Sequence, residues 1–237
     1  MEHIMKNRSI ILSLSLIVCL VSVGNAQSSV SSDIHIVKGK KISRDVSTVS
    51  GDVVIGNGAD LKANVSSVSG DIEIGSKAKV ENVSSVSGDI SVGKGAKVED
   101  LETVSGDIHL YEKCDVEGSI ESVSGDIACD SGSDVAKDIS TVSGDIELDD
   151  ALLRGSLETV SGDISLFNGS TIEGDIIIDR KVDFFRSHQG KLKIIIDMHS
   201  VVKGSILVKE PDSNVIVYLA NGGKVKGKIE NAEVREQ

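Results

Sequence analysis

Val-Ser-Gly-Asp followed by Val or Ile occurs seven times in this 237-residue chain, with its glycine at Gly51, Gly70, Gly88, Gly106, Gly125, Gly144 and Gly162. The glycine number rises by 18 or 19 from each copy to the next, and a worn eighth copy, Val30-Ser31-Ser32-Asp33-Ile34, stands one such step before Gly51. A unit this short cannot bury an apolar face of its own. Equivalent units must therefore stack and share one continuous core.

The repeat also predicts the shape of each unit. Val104, Gly106, Ile108 and Leu110 alternate with Thr103, Ser105, Asp107 and His109, the period of a strand with one buried face. Val86, Val92, Val98 and Val104 recur six apart, with Ile90 and Leu101 also apolar, which describes a coil of three sides. Lys94-Gly95 and the stretch Asp115, Val116, Glu117, Gly118 read as corners, where glycine supplies a positive φ at little cost. The alternation of 18 and 19 then means that one corner accepts an extra residue. A single proline in the whole chain agrees with a ladder that needs nearly every backbone N–H. Apolar residues do not recur at 3.6, so a helical solenoid is excluded. The fold class expected is all-β, a three-sided parallel β-helix (β-solenoid) of about 18–19 residues per rung.

Regularity ends near residue 167. Shorter Val-x-Gly-x-Ile variants follow at Ile172 to Ile176, Val202 to Ile206 and Val225 to Ile229, at spacings that imply rungs carrying insertions. The expected layout is regular rungs over 27–167, irregular rungs with a C-terminal cap over 168–230, and a flexible charged tail over 231–237. Phe184 and Phe185 are the aromatic candidates for that cap.

At the other end, Lys6 and Arg8 precede an apolar run from Ile10 to Val23, and Gly24-Asn25-Ala26 has the small-x-small form of a cleavage site. The run is shorter than the roughly 20 residues of a membrane-spanning helix. Residues 1–26 are therefore expected to be a signal peptide, and the protein to be exported to the periplasm or cell surface, with no transmembrane segment in the mature chain. Losing Glu2, Lys6 and Arg8 would take the net charge from −12 to −13. Such an acidic chain without a basic stripe argues against nucleic acid and against anionic lipid as partners, since both need clustered Lys and Arg. The two cysteines beyond this segment, Cys114 and Cys129, align with apolar positions of other repeats and are expected to be buried free thiols.

Stacking places repeated side chains in columns about 4.8 Å apart. The columns expected to face outward are Ser/Thr (Thr48, Ser67, Ser85, Thr103, Ser122, Thr141, Thr159), serine (Ser31, Ser50, Ser69, Ser87, Ser105, Ser124, Ser143, Ser161) and aspartate (Asp33, Asp52, Asp71, Asp89, Asp107, Asp126, Asp145, Asp163). Adjacent ionised carboxylates at that spacing would repel by about 0.9 kcal/mol per pair in water. Hydrogen bonds from serine and backbone donors could relieve this, and so could bound cations. The aspartate column is thus the candidate metal site, calcium being the candidate cofactor, although calcium asks for six to eight oxygens. The hydroxyl columns raise a second idea, a flat surface that orders water.

Enzymes built on β-helices need convergent acids with aromatic platforms. Here the histidines His35, His109, His188 and His199 are scattered, so no catalytic residues are assigned and no enzyme is expected.

The tandem Val-Ser-Gly-Asp-Ile repeats resemble a bacterial adhesin-type repeat family, secreted or envelope β-solenoids without an assigned activity. The Val-x-Gly-x-Ile pieces are similar to those of bactofilins, which are polymer-forming β-helical scaffolds. Both resemblances imply a right-handed β-helix, and neither brings catalytic residues. The function expected is a secreted or cell-envelope, non-enzymatic, adhesin-like structural and binding module. The alternatives are a bactofilin-like scaffold outside the cytoplasm and, less in keeping with the residues, a carbohydrate-active enzyme. Self-association is expected through the N-terminal rung, where Val30, Ile34 and Ile36 would present an open apolar end, with an envelope or extracellular surface partner besides.

Overall fold

The computed structural model describes residues 27–180, 190–211 and 214–236. It is a parallel β-solenoid whose three sheets, of 11, 11 and 10 strands, run the length of the stack. Every third strand belongs to the same sheet, so each side of the coil pairs with its own copy one rung above and below. In one rung the three sides are Leu101–Thr103, Ile108–Leu110 and Asp115–Val116. They pair in register with Ile120–Ser122, Ile127–Cys129 and Asp134–Val135 of the next rung.

The inner residues of each side form aliphatic columns. Ile72, Ile90, Ile108, Ile127 and Ile146 stack on the second side and are buried, while Val98, Val116 and Val135 do the same on the third. Each such side chain contributes about 1.5–3 kcal/mol by burial. β-branched residues suit this pleated, half-buried surface, which explains why the chain needs so few aromatics. Glycine or another left-handed residue turns the chain between the second and third sides, at Gly58 (φ +65°), Lys77 (φ +59°) and Gly95 (φ +68°) in successive rungs.

Several details differ from the sequence expectation. The Val-Ser-Gly-Asp tetrad is a corner between the first and second sides, outside the strands in most rungs, although in two rungs the first-side strand runs on through Ser143 and Ser161. Leu101 and Thr103 point inward before it and Ile108 and Leu110 after it, while Val104 to Asp107 bend around the outside. The Ser/Thr column consequently faces the core: Thr48, Ser67, Ser85, Thr103, Ser122, Thr141 and Thr159 are all buried. These positions therefore offer no flat Thr/Ser surface for ordering water. Asp115-Val116 is a strand, and the corner lies at Glu117-Gly118.

The extra residue of the longer rungs sits mainly at this third corner. Residues 62–64 form it in one rung and only Glu81 and Asn82 in the next. The irregular rungs keep their register, with Ile164 opposite Ile194 and Ile176 opposite Ile206. Their added length lies in the connections after Ile178 and after Val208, where the regular rungs carry Val-Ser-Gly-Asp.

The two ends differ from expectation as well. Residues 233–236, expected to be tail, form the last strand, with Val217 opposite Val234 and Tyr218 opposite Arg235. Arg235 pairs with Glu233 and lies over the Tyr218 ring, 5.8 Å from its centroid. A charged outermost strand discourages further strand addition. At the N-terminal rung Ile34 and Ile36 are buried, and the exposed apolar residues are Val30 and Val37. The segment 1–26, expected to be a signal peptide, and Phe184 and Phe185, expected to form a cap, lie outside the described residues, as does His188.

Candidate functional site: an aspartate ladder and the groove beside it

The corner aspartates form a continuous ladder. Each Oδ1 accepts the backbone N–H of the aspartate in the next rung. Asp52 N–H donates to Asp33 at 3.1 Å, Asp71 to Asp52 at 3.0 Å, Asp89 to Asp71 at 2.9 Å, and Asp107 to Asp89 at 2.8 Å. The series continues through Asp126, Asp145 and Asp163, the last accepting from Lys193 at 2.8 Å. A corner breaks the regular strand ladder, so one N–H per rung needs a partner there, and the carboxylate supplies it. A hydrogen bond to a charged acceptor contributes about 1.5–3 kcal/mol at most. Repulsion between neighbouring carboxylates is only about 0.9 kcal/mol. The ladder therefore holds.

Two further devices support the same corner. Thr48, Ser67 and Ser85 accept, through their hydroxyls, the N–H of Gly51, Gly70 and Gly88 at 2.9–3.0 Å. This local hydroxyl-to-backbone bond is why polar residues occupy core positions. Glycine is required for a different reason. A Cβ on Gly106 would stand 2.3 Å from the carbonyl oxygen of Gly88, which belongs to the rung below.

A second ladder runs along the third corner and goes beyond the sequence expectation. Asp45, Asp100, Asp138 and Asp175 accept the N–H of Asn64, Ser119, Ser156 and Ser205 at 2.7–3.0 Å. Its signal is present in the chain, as an Asp, Asn or Ser immediately before the first strand of nearly every rung.

Among the described residues no three His, Cys, Asp or Glu side chains come together in a metal-ligating group. The candidate column Asp52, Asp71, Asp89, Asp107, Asp126, Asp145 and Asp163 is a single file in which each residue has one oxygen already engaged. Cys114 and Cys129 are buried and free. Burial pushes their thiols up, to about 11 and about 12. The Cys114 thiol donates to the carbonyls of Val92 and Gly93.

On the second side lies an open groove of about 730 Å³. Its floor includes Glu73 and Ser91, one wall carries Asp71 and Asp89, and the other carries Tyr111, Asp130 and the Lys94–Glu112 ion pair. That pair holds the Glu112 carboxyl below its usual value, chiefly through the lysine hydrogen bond. Tyr111, 44% exposed, stacks on His109 with ring centroids 4.2 Å apart. His109 Nε2 shares a 3.1 Å hydrogen bond with Asp130 Oδ1.

By sequence the histidines are scattered. This cluster escapes such a reading because His109 and Asp130 belong to different rungs and meet only through stacking. His35 and His199 lie in other rungs. Ser91, directly below His109 in the sheet, makes no hydrogen bond to it among the described residues, so the group lacks an activated nucleophile. Chemically the groove offers one aromatic platform and several carboxylate acceptors, a surface suited to hydrogen-bonding a polar ligand.

The fold and its surface define a class: a repetitive β-solenoid in which most of the repeated chemistry supports the coil. More specifically, a family model described as Toastrack DUF4097 matches residues 76–210, more than half of the chain, and the protein belongs to that family. No curated protein and no solved structure matches it.

Proposed function

We propose that this chain is an exported, non-enzymatic β-solenoid of the cell envelope, acting as an adhesin-like structural and binding module. The aspartate ladder is the observation that carries this reading. The most repeated chemical group in the chain is engaged in holding one rung to the next, which leaves the sheet faces and the Tyr111 groove as its means of contact. Aromatic stacking with carboxylate acceptors suits a hydroxyl-rich ligand.

Expression of the full chain in a bacterial host tests this. The exported form should begin at Gln27 on N-terminal sequencing and should partition with the envelope, and Tyr111→Ala should release it into the medium. Retention of an uncleaved chain in the cytoplasm would overturn the export reading. Turnover of a polysaccharide by the purified protein would overturn the non-enzymatic one.

A second reading, a polymer-forming scaffold, is favoured by one observation. Among the described residues, each first-rung strand, Gln27–Ser29, Ile34–Ile36 and Lys41–Ile42, has a strand partner on one side only. Filaments in negative-stain images of the purified protein would select it, and single short rods would reject it.

A further inference from the structure

We propose that the N-terminal tip of the solenoid is a docking surface for an anionic phospholipid bilayer. The chain is acidic overall, but its charge is unevenly placed. Residues 46–180 hold about three acids for each base, by count of the sequence. The first rung instead exposes Lys38, Lys40, Lys41 and Arg44. Its two carboxylates, Asp33 and Asp45, are both turned to backbone duty, accepting the N–H groups of Asp52 and Asn64. The same rung carries Val30 and Val37, among the described residues the two most exposed large apolar side chains, at 74% and 68%. A hollow of about 370 Å³ lies beside Val37, lined also by His35, Ile36 and Ile42 together with Lys40 and Lys41.

Cations and exposed apolar side chains on one terminal rung match the boundary between phosphate headgroups and acyl chains. The geometry also keeps the acidic body out of the way. Rungs advance by about 4.8 Å, so beyond the second rung the carboxylates lie past the roughly 8 Å screening length of physiological salt. An end-on rod can thus meet an anionic plane with its tip alone.

A second copy of this chain fits the tip less well. Head-to-head stacking would oppose Lys38, Lys40 and Lys41 with themselves. Head-to-tail stacking with the registers continued would set Lys224 against Lys41 and the charged Glu236 against the apolar Ile36. Lysines at a sheet edge also deter strand addition. By sequence, only Gly24-Asn25-Ala26 separates the apolar run Ile10–Val23 from Gln27. On the export reading, translocation therefore delivers this tip, rather than the opposite one, to the bilayer surface.

The test uses purified full-length chain and does not depend on where a cell sends it. Binding is compared between phosphatidylcholine vesicles and the same vesicles containing about 30 mol % phosphatidylglycerol. Binding to the anionic vesicles should be at least about tenfold tighter, the excess vanishing at about 0.5 M salt. The triple variant Lys38→Glu/Lys40→Glu/Lys41→Glu should lose this preference. Lys224→Glu/Lys226→Glu/Lys228→Glu, with the same change in net charge, should keep it within about twofold.

Lysine acetylation footprinting of the bound wild type provides a readout that needs no variant. Lys38, Lys40 and Lys41 should be protected, and Lys224, Lys226 and Lys228 should not. Equal losses in the two triple variants, protection at the far end, or no anionic preference would overturn the proposal. So would protection of the N-terminal lysines that appears without vesicles as the protein is concentrated, because that would make a second copy the occupant.

Discussion

Replacing Gly106 with alanine should destabilise the coil although alanine is compatible with the backbone there. The added Cβ would lie 2.3 Å from the Gly88 carbonyl oxygen and 2.6 Å from its carbon. Ordinary contact begins near about 3.5 Å, so the corner must move by about 1 Å. It has little freedom to do so, because the obstructing atoms are backbone of the neighbouring rung. The adjacent Asp107 N–H also donates to Asp89 at 2.8 Å.

Overpacking costs about 1–3 kcal/mol, and stretching that hydrogen bond adds about 0.5–1.5 kcal/mol. Restricting the unfolded chain returns about 0.4–1 kcal/mol. The expected net loss is about 1–3 kcal/mol, read as a lower midpoint in equilibrium urea unfolding. Gly58 is the contrast. It is in the left-handed region with nothing within 4 Å of an added Cβ, and Lys77 and Lys113 occupy the equivalent position in other rungs. Gly58→Asn should therefore cost less than about 1 kcal/mol. A loss below about half a kcal/mol for Gly106→Ala, or a larger loss for Gly58→Asn, would refute the steric argument.

Thr103 Oγ1 is buried without a hydrogen-bond partner, so Thr103→Val should raise stability by about 1 kcal/mol, whereas Ser85→Ala, which strips the acceptor from Gly88 N–H, should lower it in the same urea assay. Burial, then Glu121 and Asp100, raise the Glu102 carboxyl above its usual value. A raised folded value means that stability falls as pH rises through it. Glu102→Gln should accordingly be more stable than wild type at neutral pH, with the difference closing on acidification. The two thiols, pushed up to about 11 and about 12, should resist alkylation at pH 8 until the chain unfolds. Stability should also decline above about pH 9, where only the unfolded thiols ionise, and Cys114→Ala with Cys129→Leu should abolish that decline.

The solenoid is legible in the sequence because its period is a property of the chain itself: a repeat so short forces stacking whatever the local conformation. The corner is not. Val104 is apolar and Gly106 lacks a side chain, so the alternation leading to Ile108 runs straight across a bend that a period of two cannot reveal. Hydroxyls usually face water, so sequence alone puts Thr103 outside. Its column is buried because the equivalent Thr48, Ser67 and Ser85 cap glycine N–H groups, a role visible only once the bend is known. The aspartates read as a column from sequence, yet their partners are backbone groups a full rung away, which side-chain chemistry alone does not disclose. The groove is less legible still, since Tyr111, His109 and Asp130 acquire meaning only as neighbours across two rungs.

The backbone role of the aspartate ladder is tested most directly by comparing two triple variants, Asp71→Ala/Asp107→Ala/Asp145→Ala and the same positions changed to asparagine. The sites lie two rungs apart, about 10 Å, so their effects should add. Each alanine leaves one N–H, of Asp89, Asp126 or Asp163, without its charged acceptor, at about 1.5–3 kcal/mol per site, offset in part by the repulsion of about 0.9 kcal/mol per neighbour that the lost carboxylate relieves. Urea unfolding should show a loss of about 2–4 kcal/mol for the alanine variant and less than about 1 kcal/mol for the asparagine variant. For the wild type, the midpoint should be the same in EDTA as in millimolar calcium. Equal losses in both variants, or a saturable calcium-induced rise that asparagine abolishes, would contradict the ladder and make the carboxylate charges a cation site.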